Sequence, residues 1–142
     1  MIPRSIVDAM SRQVGLVNRS ENDAERVLAS LAELGVSDHE QLKEFFLAYK
    51  LSGVLSKRET ELVDLCSPTP QILETTEFGR DTFEVTDDFV CLTSGEGDGF
   101  ILYSKTSRKL FDVSVDELDA VESGERKADW ESFYDLIKWY LP

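Results

Sequence analysis

The stretch Phe89-Val90-Cys91-Leu92-Thr93-Ser94-Gly95-Glu96-Gly97-Asp98-Gly99-Phe100-Ile101-Leu102-Tyr103 sets two short runs of aromatic and aliphatic residues on either side of a glycine-acid connection. Runs of this length and composition, bounded by turn-forming residues, read as strands, and the Ser94–Gly99 connection is short enough for a hairpin. The same rhythm extends outward in both directions. Thr82 to Val85 forms a further run before the first, and Leu110 to Val115 follows across the polar turn Ser104 to Lys109. Together they predict an antiparallel meander of about four strands.

Ahead of Pro70 the apolar period changes. Ala24, Val27, Leu28 and Leu31 recur at helical spacing, as do Leu42, Phe45, Phe46 and Tyr49, and an earlier segment with Ile6, Val7, Met10, Val14 and Val17 fits a helix weakened by Gly15. Gly35 is expected to close one helix and Ser52-Gly53 the next. Ser37-Asp38-His39-Glu40 has the spacing of a reciprocal helix cap, and Ser56-Lys57-Arg58-Glu59 repeats it ahead of Leu62, Val63 and Leu65, predicting a short third helix. Beyond the strands, Ser114 to Ser123 forms a brief helix before Gly124. A final helix opens near Asp129, with Trp130, Phe133, Tyr134, Ile137 and Leu141 on one face. Helices, then strands, then a closing helix is an α+β order, expected to fold as one domain over residues 1–142.

The chain has 142 residues, fifteen of them Lys or Arg and twenty-eight Asp or Glu, for a formal net charge of −13. Such a field repels phosphate polymers and anionic membrane surfaces, so neither direct nucleic-acid binding nor membrane binding is expected. The acidity is concentrated beyond residue 66, where seven basic side chains face seventeen acidic ones. The N-terminal pattern is broken by Asp8, Arg12 and Gln13 and does not resemble a signal sequence, so a cytoplasmic location is expected. Cys66 and Cys91, the two cysteines, are expected to be reduced.

Candidate chemistry is sparse. The glycines at 95, 97 and 99 lack the Lys and the spacing of a phosphate-binding loop, and Glu96 and Asp98 set negative charge where an anion would sit. The loop also lacks the distal bidentate Glu of a calcium-binding EF-hand. His39 is the lone histidine and is expected to be exposed at a helix start. Neither a catalytic set nor a metal or cofactor site is therefore expected. An acid-base hydrolase built on carboxylates would require two buried carboxyl groups facing one pocket. The Trp130-Phe133-Tyr134-Ile137 stripe reads as core, whereas Trp139 and Tyr140 lie near its margin, where an exposed ring would be a contact for another protein.

Residues 89–103, together with Lys109-Leu110-Phe111-Asp112-Val113 and Trp130-Glu131-Ser132-Phe133-Tyr134-Asp135-Leu136-Ile137-Lys138-Trp139-Tyr140-Leu141, resemble the C-terminal pattern of the SUKH superfamily. That group includes the Syd-like and SMI-KNR-type immunity proteins. Leu42-Lys43-Glu44-Phe45-Phe46-Leu47-Ala48-Tyr49 is similar to the family's early helix, while Val36-Ser37 stands where the family usually has Leu-Pro. The resemblance implies a small α+β domain that binds a cognate bacterial toxin and blocks it stoichiometrically, with no chemistry of its own. Many such toxins are nucleases with basic clefts, and the net charge suits a partner of that kind. On this reading Glu96, Asp98 and Asp112 belong to the docking surface and Trp139 is its aromatic anchor. A regulatory or scaffolding adaptor of the same fold is the alternative. The sequence leaves the oligomeric state open.

Overall fold

A computed structural model of the chain describes residues 1–66, 70–95 and 99–142. Four helices, α1 (Arg4–Ser11), α2 (Ala24–Leu34), α3 (Glu40–Ala48) and α4 (Ile72–Phe83), precede strands β1 (Phe89–Cys91), β2 (Gly99–Ser104) and β3 (Leu110–Ser114). Helices α5 (Leu118–Ser123) and α6 (Phe133–Tyr140) follow. The strands form an antiparallel sheet in the order β1-β2-β3, with Val90 opposite Tyr103 and Leu102 opposite Phe111. The α+β class and the meander hold, with three strands rather than about four among the described residues.

Both faces of the sheet are buried, which is why its strands read as nearly unbroken apolar runs. Val90, Leu92, Ile101, Tyr103 and Leu110 face a larger core built with Ile6, Leu31, Phe45, Phe46, Phe133 and Ile137 from the helices. Phe89, Cys91, Phe100, Leu102, Phe111 and Val113 face a smaller one with Val85, Leu118 and Val121. Cys66 belongs to the first core and Cys91 to the second, and both are free thiols. Burial pushes the Cys66 thiol up and the Cys91 thiol up to about 12.

The segment Thr82 to Val85 is not a strand. Its first two residues complete α4, which then stops at Glu84 in the left-handed conformation (φ 59°). The buried face of α4 is Ile72, Thr75, Thr76 and Gly79. This is helical spacing written in small and hydroxyl residues, so a search for large apolar side chains passes over it. The composition has a purpose at β1. Thr75 Oγ1 donates to Cys91 O at 2.6 Å, and Cys91 N donates to Thr76 Oγ1 at 3.0 Å. A Cβ at Gly79 would lie 2.8 Å from Cys91 Sγ, so only glycine allows helix and strand to approach this closely.

The outer edge of β3 is closed in a similar way. Asp112 N donates to Asp129 Oδ2 at 2.7 Å, Arg126 Nη2 donates to Asp112 O at 3.1 Å, and Leu110 N donates to Trp130 O at 2.9 Å. Both sheet edges are thus paired with non-sheet groups, which blunts their tendency to recruit another chain.

Several helix boundaries also differ from expectation. Gly35 ends α2 with φ 78° as anticipated. Helix α3, however, begins at Glu40 after a turn in which His39 N donates to Val36 O at 3.0 Å, so Ser37 does not cap it. It ends at Ala48 rather than near Ser52-Gly53, and α1 ends at Ser11. The released segments pair with one another. Arg19 N donates to Ala48 O at 2.9 Å, Lys50 N donates to Val17 O at 2.7 Å, and Leu55 N donates to Gln13 Oε1 at 2.8 Å. Residues 13–19 and 48–55 therefore lie side by side as an irregular ribbon, joined by the antiparallel bridge between Asn18 and Tyr49. Its crossing point is so close that a Cβ on Gly15 would lie 2.6 Å from Gly53 O.

The expected helix over residues 56–65 is absent. Ser56 Oγ instead donates to Tyr140 O at 2.6 Å, Leu62 N donates to Tyr140 Oη at 3.2 Å, and Val63 N donates to Leu92 O at 3.0 Å. This irregular strap is tied to the ribbon by a buried ion pair. Arg19 Nη1 donates to Asp64 Oδ2 at 2.9 Å and Nη2 donates to Asp64 Oδ1 at 3.0 Å, with side-chain exposures of 1% and 0%.

Candidate functional site: an acidic cleft beside a tryptophan stack

The strap and the sheet enclose a cleft of about 410 Å³ lined by Glu59, Thr60, Glu61, Thr93, Ser94, Gly95, Gly99, Phe100, Ile101 and Asp112. Glu59 and Glu61, both exposed, come to the cleft from the strap. Asp112 comes from the exposed position of β3, whose burial alternates around it. None of these three carboxylates has an ion pair among the described residues. Arg126, the nearest guanidinium to Asp112, is engaged by Glu117 at 3.1 Å and Asp129 at 3.0 Å. Partial desolvation, then the neighbouring Asp129, holds the Asp112 carboxyl above the usual carboxylate range.

Of the residues singled out from sequence, Asp112 lies in this cleft. Glu96 and Asp98 fall outside the described residues, although Gly95 and Gly99, which flank them, line it. Trp139 sits on the same flank. Arg58, adjacent in sequence to Glu59, stacks its guanidinium 4.5 Å from the Trp139 ring centroid and donates from Nε to Trp139 O at 2.9 Å. Trp130 packs against the same indole with ring centroids 5.0 Å apart and planes tilted by 55°. The indole is half-buried and held by contacts with a cation and a second indole, so presenting it to a partner costs little side-chain entropy. Phe133, Tyr134 and Ile137 are buried, as the core reading of that stripe requires.

Glu59 and Glu61 are not legible as cleft residues from the sequence, because the Ser56-Lys57-Arg58-Glu59 spacing puts Glu59 in the cap of a helix that does not form.

His39 is a correction as well. It is 5% exposed rather than solvent-facing, with Nδ1 2.6 Å from the Tyr103 hydroxyl. Burial pushes the Tyr103 phenol up to about 12, so the hydroxyl keeps its proton and can donate it to a neutral imidazole. Burial, reinforced by Arg108, lowers the His39 pKa. Its role is to fasten the start of α3 to β2.

A larger groove of about 850 Å³ crosses the opposite side of the sheet, but Lys109 and Glu131 pair across it at 3.3 Å and its charges are mixed. Among the described residues no cluster of His, Cys, Asp or Glu is placed to hold a metal, and no helix is long and apolar enough to cross a membrane. Compared with models of known protein families and with curated protein sequences, the chain matches none. Chemically, the cleft offers hydrogen-bond acceptors and negative charge at a fixed spacing. Guanidinium and ammonium groups are the natural complement.

Proposed function

We propose that the chain is an immunity-type binding protein that neutralises a cognate toxin by occupying a basic surface on it, stoichiometrically and without bond-making chemistry. The observation that carries this reading is Asp112. Exposed on β3 at the wall of the cleft, its carboxylate has no hydrogen bond or ion pair among the described residues, while the neighbouring Arg126 is engaged by Glu117 and Asp129, so a cation from outside would find it open. Glu59 and Glu61 extend the same charge along the cleft, the stacked Trp139 offers a rigid apolar contact beside it, and the net charge of −13 favours fast encounter with a cationic partner. The resemblance of residues 89–141 to SUKH immunity proteins points the same way.

A tagged copy expressed in its native host should copurify with one basic protein at equal stoichiometry, identified by mass spectrometry. The Glu59→Gln/Glu61→Gln/Asp112→Asn variant should lose that partner while keeping its circular dichroism spectrum. Association with the wild-type chain should slow markedly between about 50 and about 500 mM salt. Equal capture by wild type and triple variant, or a salt-independent rate, would remove the cleft from the binding surface.

A further inference from the structure

Helix α4 carries a second surface, which adjoins the cleft at Ser94 and Gly95. Phe78 is 46% exposed, yet its ring is held in place. It meets Phe83 edge-on with ring centroids 5.9 Å apart, and Phe83 meets the buried Phe100 in the same way at 5.2 Å. Phe78 stands in a groove of about 420 Å³ lined also by Pro70, Glu74, Thr75, Ser94 and Gly95. Because Ser94 and Gly95 line the acidic cleft too, groove and cleft are neighbours that share these two residues.

The charges beside Phe78 are placed by the helix itself. Glu74 lies one turn before it and Asp81 one turn after, and Glu77 falls next to both on the same side. All three are exposed, and none has an ion pair among the described residues. Arg80, the one basic residue of α4, pairs with Asp87 at 3.6 Å. Glu74 and Glu77 are three residues apart and Glu77 and Asp81 four, the spacings at which like charges weaken a helix, and Asp81 stands in the last turn, where the helix dipole disfavours a carboxylate. The chain thus bears a local electrostatic cost that Lys or Arg from another molecule would remove.

We infer that the exposed face of α4 accepts a cationic amphipathic segment of the partner, with Lys or Arg over Glu74, Glu77 and Asp81 and an apolar side chain beside Phe78 in the groove. The identity of that partner rests on the reading of the cleft given above, whereas the chemistry of the segment rests on α4. A second copy of this chain is a poor occupant, because it would bring a net charge of −13 to a row of carboxylates, and an anionic membrane is repelled by the same field. Phe78 needs little ordering on docking, since Phe83 and Phe100 already hold its ring.

The probe is an end-blocked, alanine-based helical peptide of about sixteen residues, with Lys at every fourth position and one Leu beside that row. It is titrated into the isotopically labelled full-length chain at about 50 mM salt and followed by NMR. Amide shifts should concentrate on residues 71–83 and 94–95. Phe78→Ala should weaken binding roughly fivefold or more. Glu77→Gln/Asp81→Asn, which relieves like charges on an exposed face and leaves the fold intact, should weaken it roughly threefold or more. A peptide of equal charge with Ala in place of its Leu should bind the wild type more weakly, and the Glu59→Gln/Glu61→Gln/Asp112→Asn variant should keep the α4 shifts. Three outcomes would overturn the inference: no shifts up to millimolar peptide, equal binding of the wild type and both α4 variants, or shifts centred on residues 59–61 and 112 that the cleft variant removes. The last would leave the cleft reading standing, whereas α4 shifts in a chain that captures no basic protein from its host would sink that reading and uphold this one.

Discussion

Replacing Arg19 by Met offers the sharpest test of how ribbon and strap are held. Arg19 makes four hydrogen bonds, to Asp64 Oδ2 at 2.9 Å, Asp64 Oδ1 at 3.0 Å, Phe46 O at 2.8 Å and Tyr49 O at 2.9 Å. Methionine fills much of the volume but strands the Asp64 carboxylate, which is 0% exposed, and frees two carbonyls. Breaking a buried pair from one side costs about 3–5 kcal/mol, a large share of the roughly 5–15 kcal/mol that holds a domain together. At a urea m-value of about 2 kcal/mol/M the midpoint should fall by roughly 2 M. Asp64 also accepts from Leu51 N at 2.9 Å and Cys66 N at 3.3 Å, so removing it alone should be costly too. The double variant Arg19→Met/Asp64→Leu should recover a sizeable part of the single-variant loss, because no lone charge remains buried. Urea unfolding followed by tryptophan fluorescence supplies all four corners of the cycle. A loss below about 1 kcal/mol in Arg19→Met, or strictly additive losses in the double variant, would refute the claim that these residues act as one buried unit.

Three further outcomes follow from contacts described above. Gly79→Ala should lower the melting temperature by several degrees, since overpacking against Cys91 Sγ at 2.8 Å outweighs the roughly 1 kcal/mol gain in helix propensity, and Cys91→Ala should rescue it. A melting temperature unchanged in Gly79→Ala would show that α4 shifts freely. His39 should titrate below 6.5 by NMR, and because the folded state resists the proton that the unfolded chain accepts, stability should fall as pH drops through that value. A titration midpoint above 6.5 would contradict the burial argument. Asp112→Asn should be no less stable than wild type at pH 7. Its advantage should vanish on acidification through the carboxylate range, because the raised pKa of Asp112 makes its charged form the unfavourable one in the folded state. Destabilisation of this variant in urea at neutral pH would mean that the carboxylate is structural.

Large apolar side chains at regular spacing made most of the architecture legible. The strands from Phe89 to Val113 announce themselves because both faces of the sheet are buried, and Phe133, Tyr134 and Ile137 mark α6 for the same reason. What escaped was written in smaller residues. Helix α4 buries threonines and a glycine, the ribbon rests on Gly15 against Gly53, and the strap over residues 56–65 forms no helix because Ser56 and Leu62 find partners on Tyr140, far away in sequence. The cleft was half legible. Asp112 stood out in its strand, but Glu59 and Glu61 join it only through that long-range contact, and His39 looked exposed because Tyr103, its partner, is 64 residues distant. Local spacing reports local bonds, and these residues are defined by distant ones.

The placement of the two cysteines gives the molecule a built-in pair of gauges. Each thiol is shut away on a different side of the sheet and kept protonated, so a modifying reagent can reach it only when that layer opens. Modification rates at the two positions therefore reveal whether the halves come apart together or in turn. They do so without any foreign label, and with the acidic cleft left untouched.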